Sequence, residues 1–134
     1  MDIILHITQQ DKWDKAKTLG SYRADTLESQ GFIHCSTPEQ VVRVANTLFR
    51  GQDDLVLLCI DSTEVEAEIR YENLEGGDEL FPHVYGPLNA GAVVSVLDLK
   101  PQADGTFVPP ESLWADHGAE QRRGDPPGVE KARS

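Results

Sequence analysis

The chain has 134 residues and carries 12 Lys and Arg against 23 Asp and Glu, which gives a net charge of −11. This length suits a single domain that buries a core without disulfides or a structural metal. The acidic balance disfavours binding to nucleic-acid backbones, and no apolar run approaches the ~18 residues of a membrane-spanning helix.

The first elements in the chain alternate between apolar strands and helices. The apolar run 2–7 predicts an interior strand. Thr8-x-x-Asp11 resembles a capping box, and it predicts a helix that begins at Thr8 and ends at Gly20. The polar stretch 21–29 predicts a loop with a short extended piece.

A second strand and a second helix follow. Residues 31–35 predict the strand, and Ser36-Thr37-Pro38 predicts the helix start, with a hydroxyl cap and proline at the first position. The buried stripe of this helix is predicted to consist of Val41, Val44, Ala45 and Leu48, with Gly51 ending the helix.

The later part of the chain predicts strands only. Residues 55–60 and 92–99 form apolar strands, 69–74 a weaker strand, 75–78 a turn, and 106–108 a short edge strand. Helices early and strands late favour an α+β domain over a doubly wound parallel sheet.

The C-terminal segment 118–134 differs in composition from the rest. It is rich in glycine, proline and charge, and its one large apolar residue is Val129. We predict a disordered tail, because such a segment cannot bury enough apolar surface to offset its ordering entropy. The folded domain is therefore expected at 1–117.

The N-terminus has no basic region or cleavage site of a signal peptide, which predicts a cytoplasmic protein.

Two strand ends share a pattern of a histidine followed two residues later by a hydroxyl. They are His6 with Thr8 and His34 with Ser36. Side chains alternate along a strand, so each pair shares one face. If the strands are neighbours, the imidazoles lie ~5 Å apart at Cβ and line one pocket wall. The alternative is that each histidine is a hydrogen-bonded core residue.

The segment 78–87 is dense in proline and aromatic residues. Pro82 stiffens its backbone, and a rigid loop that presents Glu79, His83 and Tyr85 suits a binding edge. The alternative is a loop whose aromatic side chains fill the core.

Other candidate groups are single residues. Arg23, in a loop before the second strand, is a candidate anion clamp, or else a surface partner of Asp25 or Glu28. Cys35 and Cys59 lie in apolar segments without a CxxC pair and are predicted to be buried free thiols. An apolar setting raises the pKa of a thiol, which disfavours Cys35 as a nucleophile.

Known catalytic and metal motifs are missing from the sequence. It has no GxGxxG, P-loop, GxSxG or HExxH pattern. His6, His34 and His83 would suffice in number for zinc, but their spacing resembles no zinc motif, so no metal is expected.

Residues from about 3 to 99 carry a series of specific motifs. They are Leu5-His6-Ile7-Thr8, Tyr22-Arg23-Ala24, Gly31-Phe32-Ile33-His34-Cys35-Ser36-Thr37, Gly51-Gln52-Asp53-Asp54-Leu55 and Glu79-Leu80-Phe81-Pro82-His83-Val84-Tyr85-Gly86-Pro87. Together they resemble the bacterial domain-of-unknown-function family 952.

That family in turn is similar to the ADP-ribosyltransferase fold, a split β-sheet whose cleft binds NAD. The resemblance implies that His6 matches the first-strand histidine that hydrogen-bonds the ribose on the nicotinamide side. His34 would match the second-strand position, as in the RNA 2′-phosphotransferase branch. For the later glutamate that stabilises the oxocarbenium-like ribose, Glu79 is the nearest match, with His83 and Tyr85 as alternatives.

The resemblance therefore implies a split β-sheet with two helices in its N-terminal half, and NAD as substrate. The expected function is NAD or nucleotide binding, with ADP-ribosyl transfer or NAD glycohydrolysis on a small acceptor. The alternatives are a non-catalytic nucleotide-binding or small-ligand-binding module and a histidine-based metal site. The expected nucleotide contacts are His6, Thr8, Arg23, His34 and Ser36, and the expected catalytic residues are Glu79, His83 and Tyr85.

Overall fold

The computed structural model describes residues 2–73 and 79–110. These residues form three α-helices, eight strands and two short 3₁₀ turns. The helices are α1 (Gln10–Leu19), α2 (Asp25–Gln30) and α3 (Val41–Leu48). The strands are β1 (Ile3–Gln9), β2 (Ser21–Tyr22), β3 (Ile33–His34), β4 (Leu55–Asp61), β5 (Glu68–Glu72), β6 (Phe81–Tyr85), β7 (Leu88–Asn89) and β8 (Val93–Leu99).

The strands form two three-stranded antiparallel sheets and one two-stranded pair. The main sheet has the order β1-β4-β8, the second sheet has the order β3-β6-β5, and β2 pairs with β7. An isolated bridge between Leu5 and Ser36 joins the main sheet to the chain just after β3. The α+β class predicted from the sequence is confirmed.

Core side chains cover both faces of the main sheet. On one face, Ile4 belongs to a buried cluster with Trp13 of α1, and on the other, Leu5 belongs to a cluster with Val41 of α3. All seven residues of β4 are buried, which explains the unbroken apolar run over 55–60. His6 and Thr8 point to the same face as Ile4, because side chains alternate along β1.

The first helix ends where the sequence predicts and begins later. Gly20 adopts a φ of +85°, and its N–H donates to the carbonyl of Ala16. The predicted cap at Thr8 is wrong, because Thr8 lies within β1 and pairs with Val56 of β4. The helix begins at Gln10 without a side-chain cap.

The predicted loop at 21–29 is partly wrong, because it contains β2 and the helix α2. No residue of α2 is buried, so it lacks the apolar period by which an amphipathic helix is recognised. α3 begins at Val41, later than predicted, and the predicted stripe holds only in part. Val41 and Ala45 are buried, whereas Leu48 is 67% exposed.

The predicted loop over 78–87 is also wrong in its middle part, because 81–85 form β6. β6 is the central strand of the second sheet although it contains Pro82, a residue usually confined to edges.

The segment 106–108 is not a strand. The predicted turn at 75–78 and the predicted tail from 118 lie outside the described residues. Within the described part of the chain, no helix is long and apolar enough to cross a membrane.

Candidate functional site

A cleft of about 980 Å³ opens where the main sheet, the second sheet, α2 and α3 meet. Most of the side chains that the sequence singles out contribute to its lining. These are His6 and Thr8 from β1, His34 and Ser36 from β3 and its continuation, Glu79, and His83 from β6. The two strand-end motifs therefore line one cleft, as the paired pattern predicts, and part of the 78–87 segment lines the same cleft.

His6 is buried and uses both ring nitrogens within the protein. Nδ1 lies 2.6 Å from the main-chain carbonyl oxygen of His34 and Nε2 lies 2.8 Å from the hydroxyl of Tyr22. A carbonyl can only accept, so Nδ1 carries the proton and Nε2 accepts from Tyr22. Burial lowers the pKa of His6 to about 4, and the hydrogen bond to the carbonyl offsets only part of this effect. His6 is therefore neutral at pH 7.

Tyr22 extends this chain of hydrogen bonds to Thr8. Its hydroxyl oxygen lies 2.9 Å from Oγ1 of Thr8. Tyr22 has one hydroxyl proton, and when it donates this proton to His6, the Thr8 hydroxyl donates to the Tyr22 oxygen. Burial raises the pKa of Tyr22, which keeps the phenol protonated. Tyr22 belongs to one of the sequence motifs, but no pattern in the sequence marks it as a site residue.

Aromatic rings form the wall between β3 and β6. The centroids of His34 and His83 are 5.3 Å apart, and Phe32 lies 4.7 Å from His34, 4.3 Å from His83 and 5.2 Å from Tyr85. The two histidines face each other because His34 pairs with His83 in the antiparallel register. His34 is exposed, and its Nε2 lies 2.8 Å from Oε1 of Gln30 on α2.

Glu72, at the end of β5, was missed by the sequence reasoning. Its Oε1 accepts hydrogen bonds from Nδ1 of His83 at 3.0 Å and from the hydroxyl of Tyr85 at 2.6 Å. These bonds, first that of Tyr85 and then that of His83, lower the pKa of Glu72. Glu72 lines the cleft, whereas Tyr85 is not part of the lining and supports it from behind.

Glu79 is held by two side chains of the α3 segment. It pairs with Arg43, and its Oε2 accepts from Nε2 of Gln40 at 3.0 Å. Gln40 also donates to the carbonyl of Leu80 at 2.8 Å. The hydrogen bond from Arg43 lowers the pKa of Glu79, so the pair is ionised and its charges offset each other.

The cations of the cleft are not those predicted. Arg23 is exposed and does not line the cleft. Lys12 and Arg43 do line it, and Lys12 lies 3.4 Å from Asp25. Both helix-borne cations therefore already have an acidic partner at the cleft.

Cys35 and Cys59 are both buried and are not joined in a disulfide, as predicted. Burial raises the pKa of the Cys35 thiol to about 12, the direction predicted from its apolar setting. Among the described residues, no group of three or more His, Cys, Asp or Glu side chains is arranged to hold a metal ion. Each of the three candidate histidines hydrogen-bonds to another side chain: His6 to Tyr22, His34 to Gln30, and His83 to Glu72.

Comparison with known proteins gives a family and a fold. The chain matches the family model described as Protein of unknown function (DUF952) over residues 7–96. It is similar to CC0527 from Caulobacter crescentus. A crystal structure of that protein is 35% identical with a TM-score of 0.73, covering 87% of this chain and 98% of the other. A solution NMR structure is 36% identical with a TM-score of 0.70, covering 87% and 97%.

Among curated proteins, none matches the chain. The family model spans more than half of the sequence, and it includes the motifs that carry Thr8, Tyr22, His34 and His83. The chain therefore belongs to the DUF952 family of proteins of unknown function.

Proposed function

We propose that the cleft binds a nucleotide of the NAD class, and that the protein cleaves NAD as an ADP-ribosyl transferase or glycohydrolase acting on a small acceptor. The observation that carries the proposal is the convergence of His6, Thr8, His34 and His83 in one cleft of about 980 Å³. Ligand sites are typically clefts of ~300–1,000 Å³ lined by apolar groups with a few polar groups that fix orientation.

Hydroxyl groups and rings in the cleft suit the parts of a nucleotide. Thr8 ends the hydrogen-bond chain through Tyr22 to His6, and we assign its Oγ1 as an acceptor for a ribose hydroxyl. The exposed ring of His34 offers a surface on which a base or the nicotinamide stacks. Arg43 is the cation we assign to the pyrophosphate in place of Arg23, because it lines the cleft.

Carboxylates in the cleft suit the cleavage chemistry. Breaking the nicotinamide–ribose bond builds positive charge on the ribose, and a fixed negative charge nearby lowers the barrier. Glu72 and Glu79 both line the cleft, and hydrogen bonds lower the pKa of each. Glu72 is the stronger candidate, because the charge of Glu79 is offset by Arg43.

The acceptor is expected to be small. The net charge of −11 disfavours an RNA acceptor, since contacts to a phosphate backbone require a basic surface.

A non-catalytic nucleotide-binding module is the second candidate, and one observation favours it. Glu79, the residue nearest to the expected catalytic glutamate, is engaged in an ion pair with Arg43.

A thermal-shift titration with NAD, ADP-ribose and nicotinamide tests the binding proposal. A ligand that binds only the folded state raises the unfolding midpoint by mass action. We expect NAD and ADP-ribose to raise the midpoint of the wild-type protein and of Arg23→Gln, and to lose this effect with Thr8→Val. No shift at millimolar NAD would contradict the proposal. Release of nicotinamide by the wild-type protein separates the enzyme from the binding module.

A further inference from the structure

A carboxylate, an imidazole and a phenol form a connected group on one face of the second sheet. Oε1 of Glu72 accepts from Nδ1 of His83 at 3.0 Å and from the Tyr85 hydroxyl at 2.6 Å. β5 and β6 pair so that Arg70 lies opposite His83 and Glu72 lies opposite Phe81. Glu72 and His83 are therefore diagonal neighbours on the same face, within reach of each other.

The arrangement fixes which nitrogen of His83 carries the proton. An ionised carboxylate only accepts hydrogen bonds, so Nδ1 of His83 is the donor. A neutral imidazole then has its lone pair on Nε2. His83 lines the cleft with a side chain that is 5% exposed, and no described residue hydrogen-bonds to its Nε2.

Packing fixes the orientation of the ring. Phe32 lies against His83 with centroids 4.3 Å apart, and His34 faces its edge at 5.3 Å. Behind the carboxylate, the guanidinium of Arg70 lies 4.4 Å above the ring of Tyr85. The hydrogen bonds of Tyr85 and His83 lower the pKa of Glu72, which keeps it an acceptor. A base held in this way by a carboxylate is the arrangement that activates nucleophiles in many hydrolases.

We propose that Nε2 of His83 is the general base of the cleft, with Glu72 as its positioning residue, and that the acceptor is a hydroxyl compound or water. This inference rests on the proposed NAD cleavage. The acceptor oxygen bonds to C1′ of the ribose while the bond from C1′ to the nicotinamide nitrogen breaks. The electron pair of the broken bond stays on the nicotinamide nitrogen, and the proton of the acceptor hydroxyl moves to Nε2 of His83.

The other candidate groups are less suited to this role. Both ring nitrogens of His6 are already engaged, with the His34 carbonyl and with Tyr22. Glu79 is paired with Arg43.

Hydroxyl acceptors need a base because they are protonated at neutral pH, whereas a carboxylate acceptor would need none.

Kinetics on the full-length protein test the inference. Nicotinamide release and the Kd for NAD are measured for wild type, His83→Asn, Glu72→Gln and the control Glu66→Gln. Asn keeps a donor toward Glu72 and lacks the base, and Glu66 is an exposed glutamate that does not line the cleft. We expect His83→Asn to lower kcat by roughly 10²–10⁴-fold with Kd changed less than about threefold. Glu72→Gln should lower kcat less, and Glu66→Gln should match wild type.

A second measurement does not depend on turnover. Nitrogen NMR of the histidine rings reports whether Nδ1 or Nε2 of His83 carries the proton. We expect the Nδ1–H form in the wild-type protein and a mixture of forms in Glu72→Gln. An Nε2–H form in the wild-type protein overturns the inference, whatever the kinetics show.

The outcomes separate the two proposals. Unchanged kcat in His83→Asn, or NAD binding without nicotinamide release in the wild type, overturns the inference and leaves nucleotide binding intact. Failure of the wild-type protein to bind NAD overturns the proposed function. The NMR form of His83 then decides by itself whether Glu72 orients a base in the cleft.

Discussion

Nδ1 of His6 donates a hydrogen bond of 2.6 Å to the main-chain carbonyl of His34, 28 residues further along the chain. This bond joins β1 of the main sheet to β3 of the second sheet. The two histidines share a sequence pattern, but their surroundings differ. His6 is a buried neutral group with both nitrogens engaged, whereas His34 presents its ring at the surface of the cleft.

The burial of His6 predicts that acid destabilises the fold. Its pKa is lowered from 6.5 to about 4, so between these values the unfolded chain binds a proton that the folded chain does not. Stability is therefore full at pH 7 and falls as the pH drops from about 6.5 to about 4, by roughly 3 kcal/mol in total. Urea unfolding at pH 7, 5.5 and 4.5 measures this loss.

The matched control for that experiment is His6→Asn, which keeps a donor toward the His34 carbonyl and does not titrate. We expect this variant to show a flatter dependence of unfolding free energy on pH than the wild type. Equal slopes in the two proteins would mean that His6 is not the titrating group.

The hydroxyl of Tyr22 is predicted to contribute to the stability of the fold. Tyr22→Phe leaves the buried Nε2 of His6 without its donor, and it removes the partner of Thr8. We expect a loss of about 1–3 kcal/mol in the free energy of unfolding, the usual cost of an unsatisfied buried polar group. Chemical denaturation measures the loss, and a change below ~0.5 kcal/mol would show that water replaces the hydroxyl.

The pair of Arg43 and Glu79 predicts opposite effects of two substitutions on nucleotide affinity. Glu79→Gln frees Arg43 from its counterion, so we expect NAD to bind more tightly, while Arg43→Gln should weaken binding by roughly tenfold. Isothermal titration calorimetry measures both. Arg23→Gln is the matched control, because Arg23 is exposed and outside the cleft lining, and it should bind NAD as the wild type does.

The same Glu79→Gln variant separates the two glutamates in catalysis. If Glu72 is the carboxylate that matters for turnover, nicotinamide release should survive in Glu79→Gln and drop in Glu72→Gln. The reverse result would restore Glu79 as the residue that stabilises the oxocarbenium-like ribose.

The two cysteines are predicted to be inert in the folded protein. Both are buried, and burial raises the pKa of Cys35 to about 12. Iodoacetamide at pH 8 should therefore add no label to the native protein and should label both thiols in urea, as counted by mass spectrometry of the intact chain. Rapid labelling of native protein would show that the cleft opens to expose Cys35.

The sequence predicts the helices and strands that are strongly apolar. It misses those that are formed through contacts with distant parts of the chain. β4 was predicted because a fully buried strand has an unbroken apolar sequence. α2 was missed because none of its residues is buried, and only Gly31, with a φ of +89°, marks its end. The sequence of β6 predicts a loop, because proline is rare in a central strand. Pro82 is accommodated there without an N–H, while its carbonyl accepts from the N–H of Cys35 at 3.0 Å.

The sequence predicts which residues form the candidate site better than it predicts the contacts between them. Residue type and strand alternation point to His6, Thr8 and His34, and the composition of the segment 78–87 points to His83. All four line the cleft. The roles of Tyr22 and Glu72 depend on partners 11 to 16 residues away across strands, and no local pattern encodes such distances. Arg23, the predicted anion clamp, lies outside the cleft lining, and Arg43 lies within it. Loop position alone does not show which way a side chain points.

The bridge between Leu5 and Ser36 consists of two main-chain hydrogen bonds, 2.7 and 2.8 Å long. Each sheet carries one half of the cleft: Thr8 and His6 belong to the main sheet, and His34, His83 and Glu72 to the second sheet. Together with the His6–His34 hydrogen bond, these two bonds join the half of the cleft that we propose binds the ribose to the half that we propose accepts the proton. Hydrogen exchange at just two amides, those of Leu5 and Ser36, therefore measures how often the halves separate.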